Sequence, residues 1–102
     1  MKEKLDEAKL DQALVTLNKK QDTPWIIKDG MLHKIFEFDS FVNAFAFITQ
    51  VALSAQRLNH HPDFRSTYKV VEFYLHTHKC SGVSPLDFDL AKIIDQCAGH
   101  FE

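Results

Sequence analysis

The 102 residues carry a net charge of −2 with histidine neutral, and 45% of them are hydrophobic, nine being phenylalanine. This composition is globular and excludes a disordered chain, so we expect one domain over residues 1–102. Lysines and arginines are scattered among acids and no apolar stretch reaches membrane-spanning length, which argues against direct nucleic-acid binding and against a membrane protein. We expect an intracellular protein in which Cys80 and Cys97 are reduced thiols.

A helix and a hairpin are predicted in the first third of the chain. Apolar residues recur at helical spacing near the N-terminus: Leu10, Leu14 and Leu17. They predict an amphipathic helix from Lys4 to Asn18. Further on, Asp29-Gly30 separates two strand-like runs, 25–28 and 32–38, and this pattern predicts a β-hairpin. One face of the second strand should look into the core through Leu32, Phe36 and Phe38.

A second helix follows, capped by Asp39 or Ser40, and we place it from about Phe41 to Arg57. Two apolar stripes lie side by side on it. The first comprises Phe41, Phe45, Ile48, Ala52 and Ala55, and the second comprises Ala44, Phe47, Val51 and Leu58. Because this surface is wider than contact with one sheet needs, we expect a subunit interface to bury the surplus.

The last third predicts a strand and a third helix. The run Tyr68–Leu75 is rich in β-branched and aromatic residues and should be extended. Ser84-Pro85-Leu86-Asp87 combines a capping serine, a proline at the first helical position and a carboxylate three residues after the cap, so a helix should run from there to about Ala98. Its predicted buried stripe is Leu86, Leu90, Ile93 and Cys97. The order of elements predicts an α+β fold, an antiparallel four-stranded sheet with helices packed on one face.

Four of the six histidines lie between Asn59 and Asp87. An imidazole titrates near pH 6.5, so neighbouring histidines can offer a proton donor and a proton acceptor together near neutrality. The residue before a proline is extended, and neighbours in an extended segment point to opposite sides, so His60 and His61 should have different roles. We expect His78 at the end of a strand beside this turn. The pattern indicates acid–base chemistry that needs no cofactor.

Two other interpretations of the histidines stay open. Each one could be an ordinary polar side chain of a surface or a turn. His76 and His78, two residues apart on one strand face, could instead present two imidazoles to zinc. The sequence shows no acidic residue at a matching ligand spacing, however, so we predict no metal site, and we assign no role to His33 or His100.

This region resembles the pterin-4a-carbinolamine dehydratases, also known as the dimerisation cofactor family of homeodomain transcription factors. The matching signature residues are His60, His61, Pro62, Tyr68, His78 and Asp87. Two further motifs extend the resemblance to roughly residues 25–94: Phe36-x-Phe38-x-x-Phe41-x-x-Ala44-Phe45-x-Phe47 and Thr77-His78-x-Cys80-x-Gly82. The signature usually opens with a charged residue or histidine four positions before the first histidine. Gln56 stands there in this chain, and we expect altered charge-tuning of His60.

The resemblance implies dehydration of 4a-hydroxytetrahydrobiopterin, the product left by aromatic amino-acid hydroxylases, to quinonoid dihydropterin and water, without metal or redox cofactor. The implied residues are His60, His61 and His78 for catalysis and Asn59, Thr77 and Asp87 for binding the substrate, the last three as candidates that orient the pterin ring or its histidine partners. His61 or His78 would protonate the leaving hydroxyl while His60 assists at N5. The family also implies a homodimer or homotetramer in the cytoplasm, or, as an alternative function, a protein-interaction module that stabilises dimers of a homeodomain transcription factor in the nucleus.

Overall fold

The computed structural model describes residues 3–101 as three α-helices beside a four-stranded antiparallel sheet, which confirms the predicted α+β fold. In chain order the elements are α1 (Glu7–Asn18), β1 (Ile26–Lys28), β2 (Met31–Glu37), α2 (Phe41–Leu58), β3 (Asp63–Thr67), β4 (Val70–Leu75), a 3₁₀ turn (His78–Cys80) and α3 (Pro85–Gly99). The strands lie side by side in the order β1-β2-β4-β3. Within this part of the chain, no helix has the length and apolar character to cross a membrane.

The local signals for turns and caps explain where the first elements begin. Asp29 and Gly30 both have positive φ, 54° and 76°, as a two-residue hairpin between twisted strands requires. The Ser40 hydroxyl accepts a hydrogen bond from the Asn43 N–H at 3.0 Å and caps α2, as predicted. The predicted start of α1 at Lys4 is wrong, because Asp6 caps that helix by accepting from the Lys9 N–H at 2.8 Å.

The core lies between the helices and one face of the sheet, and Phe47 on α2 is at its centre. This side chain is fully buried, and four other phenylalanine rings have centroids within 6.5 Å of its own: Phe36, Phe38, Phe73 and Phe101. Of the two stripes on α2, the second therefore packs inward, joined by Ala55, whereas Phe41 and Phe45 of the first stripe are exposed.

Two predictions about the last third of the chain are wrong in detail. The extended run begins at Val70 and not at Tyr68, because Tyr68 adopts φ 54° in a turn, and residues 63–67 form a separate strand. That strand is exposed along its whole length, so its residues show no apolar alternation to predict it. In α3 the predicted Leu86 and Ile93 are only half-buried, while a neighbouring set is fully packed: Phe88, Ala91 and Ile94.

A network on the sheet face away from the helices gives folding a dependence on pH. Glu72 Oε2 accepts hydrogen bonds at 2.8 Å from His33 Nε2 and from the Tyr74 hydroxyl. The bond from His33, and then that from Tyr74, lowers the pKa of the Glu72 carboxyl. A carboxyl whose pKa falls on folding adds stability above its unfolded value of about 4.3, and that stability is lost as the pH drops through the folded value.

The Glu72→Gln variant should therefore be less stable than the wild type at pH 7, and the difference should shrink as the pH falls below about 4.3. Urea unfolding at pH 7 and at pH 3 measures both differences. Glu37→Gln is the control, since this carboxylate on β2 is exposed and 4.0 Å from Lys69. A deficit for Glu72→Gln that stays constant between the two pH values would contradict the assignment.

Candidate active site

An open pocket of about 340 Å³ lies where the turn after α2 meets the segment after β4. Five of the six site residues predicted from the sequence line it: Asn59, His60, His61, Thr77 and His78. Its other walls are Pro62, Asp63, His76, Lys79 and Leu86. The sixth predicted residue, Asp87, is buried behind this lining and contacts His60. The structure thus brings together side chains that lie up to 28 positions apart in the sequence.

Asn59 ends α2 and redirects the chain into the pocket. It has φ 55°, the left-handed conformation that asparagine tolerates better than most residues, and its N–H bonds back to the Gln56 carbonyl at 3.1 Å. The His60 N–H bonds to the Ala55 carbonyl, also at 3.1 Å. These two bonds fix where the helix stops and from where His60 and His61 project.

His60 is held by a buried carboxylate. Its Nε2 lies 2.6 Å from Asp87 Oδ1, and its side chain is only 11% exposed. An ionised carboxylate can only accept, so Nε2 carries the hydrogen. In the neutral ring Nδ1 is then the nitrogen that can accept a proton.

Asp87 is fully buried, and each of its oxygens has a donor. Oδ2 accepts from the Thr77 hydroxyl and from the Ser84 N–H, both at 2.9 Å, while Oδ1 faces His60. The bond to Ser84 is that of a capping-box carboxylate, and the N-terminus of α3 favours its negative charge. The Ser84 hydroxyl lies 2.6 Å from Thr77 Oγ1 and completes the set. Thr77 and Asp87, predicted to orient the substrate or its histidine partners, hydrogen-bond to each other and to Ser84, and Asp87 also contacts His60.

His61 points to a different partner from His60. Its Nε2 lies 3.0 Å from Gln56 Oε1 on the last turns of α2, and the ring is exposed. Gln56 therefore contacts His61, and the altered charge-tuning of His60 expected from this position stays a prediction. An amide can orient this ring without adding charge to it.

The prediction that His78 lies at the end of a strand is wrong. The strand β4 ends at Leu75, and His78 is the first residue of the 3₁₀ turn. The Thr77 N–H donates to the Gly82 carbonyl at 2.7 Å and so closes the loop that carries His78. The ring is exposed in the pocket, with its centroid 4.3 Å from that of His76. Tyr68, the aromatic residue of the signature, does not line the pocket. It lies in the turn between β3 and β4, at the end of that hairpin away from the pocket.

Sequence reasoning also missed a carboxylate beside His76. Asp63 Oδ2 is 3.1 Å from His76 Nε2, so the statement that no acid accompanies His76 and His78 is wrong. Asp63 is 13 residues from His76 along the chain and approaches it because β3 and β4 pair with Asp63 opposite Tyr74. Spacing along one strand could not reveal a contact made across two.

Over most of its length the chain is similar to proteins of one family. A family model described as pterin 4 alpha carbinolamine dehydratase matches residues 3–97. A protein of Sinorhizobium medicae is 41% identical over 92 residues, 88% of each chain, and one of Jannaschia sp. is 41% identical over 100 residues, 96% of this chain and 99% of the other. Both are provisionally named pterin-4-alpha-carbinolamine dehydratases. The chain therefore belongs to the pterin 4 alpha carbinolamine dehydratase family.

Two solved structures share the fold. A protein from Brucella melitensis, described as a transcriptional coactivator/pterin dehydratase, superposes with a TM-score of 0.84 at 32% identity and covers 94% of this chain and 99% of its own. A pterin dehydratase-like protein described as a RuBisCO assembly factor in the α-carboxysome has a TM-score of 0.64 at 22% identity, with coverages of 78% and 93%. This second likeness concerns the fold alone.

Proposed function

We propose that this protein dehydrates pterin-4a-carbinolamine to quinonoid dihydropterin and water, within tetrahydrobiopterin recycling. The observation that carries the proposal is the buried Asp87–His60 pair at 2.6 Å behind a pocket that His61 and His78 also line. The family and the names of its relatives support the same substrate.

The reaction breaks the C4a–O bond and forms a C4a=N5 double bond. The leaving hydroxyl takes a proton to depart as water, and N5 gives up its proton to a base, so one acid and one base suffice. His60 suits the base, because Asp87 holds the hydrogen on Nε2 and stabilises the imidazolium that forms when Nδ1 accepts the N5 proton. The more exposed His61 or His78 supplies the proton to the leaving oxygen.

The decisive experiment adds the purified chain to freshly generated 4a-carbinolamine and follows its decay by absorbance. We expect a decay rate that exceeds the spontaneous rate and rises in proportion to protein concentration. A rate equal to the spontaneous one would refute the enzymatic function. Preincubation of the protein with a chelator should leave the accelerated rate intact, because the proposed acid and base are side chains.

Asp87→Asn tests the positioning of His60. In this variant the remaining oxygen should keep the two donors Thr77 and Ser84, so the amide nitrogen faces His60 Nε2 and donates to it. The neutral ring must then carry its hydrogen on Nδ1, the nitrogen that has to accept the N5 proton in the proposed mechanism. The decay rate should fall towards that of His60→Ala but not below it, with the far-ultraviolet circular dichroism of the wild type. A wild-type rate in this variant would remove Asp87 from the mechanism.

We also propose that the exposed apolar face of α2 joins copies of this chain into a dimer or tetramer. Phe41, Val42, Phe45 and Leu53 are each at least half exposed along this helix. Such a face on one element is typical of a subunit interface. Phe45→Glu should reduce the mass measured by light scattering to that of a monomer, while the outward-facing Val15→Glu of α1 should not. An unchanged mass for Phe45→Glu would contradict self-association through this face and leave the face to the alternative partner, a homeodomain transcription factor.

A further inference from the structure

A second group of polar side chains shares the pocket with the proposed catalytic histidines. Asp63, His76 and His78 each present one potential ligand atom, and these three atoms lie within 4.8 Å of one another. The dehydration uses His78 but gives no task to Asp63 or His76. Two imidazoles and a carboxylate at this separation are a ligand set in their own right.

The pairing of the sheet places the first two ligands. Asp63 lies opposite Tyr74, so its side chain and that of His76 are diagonal neighbours on one face. The carboxylate oxygen is 3.1 Å from His76 Nε2. Asp63 is on an exposed edge strand, and its carboxylate is 62% exposed, so it can turn toward an ion at little cost.

The third ligand comes from the loop closed between Thr77 and Gly82. That bridge sets His78 beside His76, with ring centroids 4.3 Å apart. In a tetrahedral zinc site with bonds of about 2.0–2.1 Å, neighbouring ligand atoms lie about 3.3 Å apart. Asp63 and His76 already lie near that separation, at 3.1 Å, and the ligand atom of His78 is within 4.8 Å of both. Small side-chain rotations would therefore bring the three atoms around one ion.

We propose that Asp63, His76 and His78 bind one divalent transition-metal ion, with Zn²⁺ as the reference, and that the bound ion inhibits the dehydratase by engaging His78. Three protein ligands leave a fourth position toward the open pocket, which water fills. An imidazole nitrogen that coordinates a metal can neither give nor take a proton. The inhibition rests on the proposed function, whereas the binding does not.

Calorimetric titration of the purified chain with Zn²⁺ tests the binding, and the visible absorption of bound Co²⁺ reports the coordination directly. We expect one ion per chain. Loss of a residue that only orients a metal ligand weakens metal binding by about 10–100-fold. His76→Ala removes a ligand and Asp63→Asn replaces an anionic ligand by a neutral amide, so each should weaken binding by at least about tenfold. His100→Ala is the control, because this exposed histidine lies away from the pocket beside Gln50 and should bind as the wild type does.

Equal Zn²⁺ affinity in the wild type and in both ligand variants would overturn the site, as would binding that His61→Ala abolishes and His76→Ala retains. Thermal melts verify that each variant is folded. If His76→Ala does not fold, Asp63→Asn, on the exposed edge strand, still tests the site. In the carbinolamine assay, saturating Zn²⁺ should suppress the wild-type rate, whereas His76→Ala at the same metal concentration should keep its own metal-free rate. Equal inhibition of both proteins would refute the inhibitory role and leave the binding result standing.

Discussion

Alanine in place of His60, His61 or His78 is expected to slow the enzymatic decay of pterin-4a-carbinolamine by about a hundredfold or more in each single variant. Each ring lines the same pocket, and each has a distinct environment: His60 against buried Asp87, His61 against Gln56, and His78 beside His76. Two of the three rings supply the base and the acid, and their loss removes a proton transfer. The third ring lines the same pocket and positions the pterin, so each single loss should lower the rate.

The control for this series is His100→Ala, a loss of the same side chain outside the pocket, which should leave the rate at the wild-type value. Wild-type rates in all three pocket variants would remove the site assignment. The series also distinguishes the two candidates for the acid. The variant that lacks the acid should regain activity when the assay contains a small buffer acid. A second test is Gln56→Glu, which should move the acidic or basic limb of the pH–rate profile only if His61 takes part in proton transfer.

Phe47→Ala is expected to lower the free energy of unfolding by about 3–5 kcal/mol. The ring is fully buried in the centre of the core, and its removal leaves a cavity that four neighbouring phenylalanines cannot fill without moving. A domain of this size is stable by about 5–15 kcal/mol, so this loss is a large share of the total. Urea denaturation followed by circular dichroism measures the loss.

Phe45→Ala is the matched control, since it removes the same side chain two residues away on the same helix, where the ring is 57% exposed. Measured at a protein concentration low enough for the monomer, it should change stability by less than about 0.5 kcal/mol. Equal losses in the two variants would mean that the orientation of α2 is wrong.

The sequence predicts elements well where one local signal is strong. Asp29-Gly30 and Ser40 place the hairpin and the start of α2 because turn and cap chemistry depends on a few adjacent residues. β3 has no such signal, since an exposed edge strand lacks apolar alternation. The burial of Lys34 on the inner face of β2 could not be predicted either, because its partner is distant in the sequence. Its ammonium donates a hydrogen bond at 2.9 Å to Asp95, more than 60 residues away, and this carboxylate neutralises the buried charge.

In the candidate site, the sequence predicts which residues take part better than it predicts the contacts between them. The five predicted residues that line the pocket come from two motifs of adjacent positions, Asn59-His60-His61 and Thr77-His78, and a resemblance at these motifs suffices to name them. The contacts among them depend on distant partners. Helix length and strand register bring these partners together, and spacing along the chain does not determine either. The contacts are Gln56 with His61, Asp63 with His76, and Asp87 with His60.

The carboxylate of Asp87 belongs to two structures at once: it caps the first turn of α3 through Ser84, and it orients His60. Fraying of that turn would release the carboxylate into water, and His60 would lose its fixed tautomer in the same event. Catalytic activity should therefore report the local opening of α3, even under conditions where the rest of the fold stays intact. In mild denaturant, the loss of turnover would precede the loss of helical signal by the margin that separates local from global unfolding.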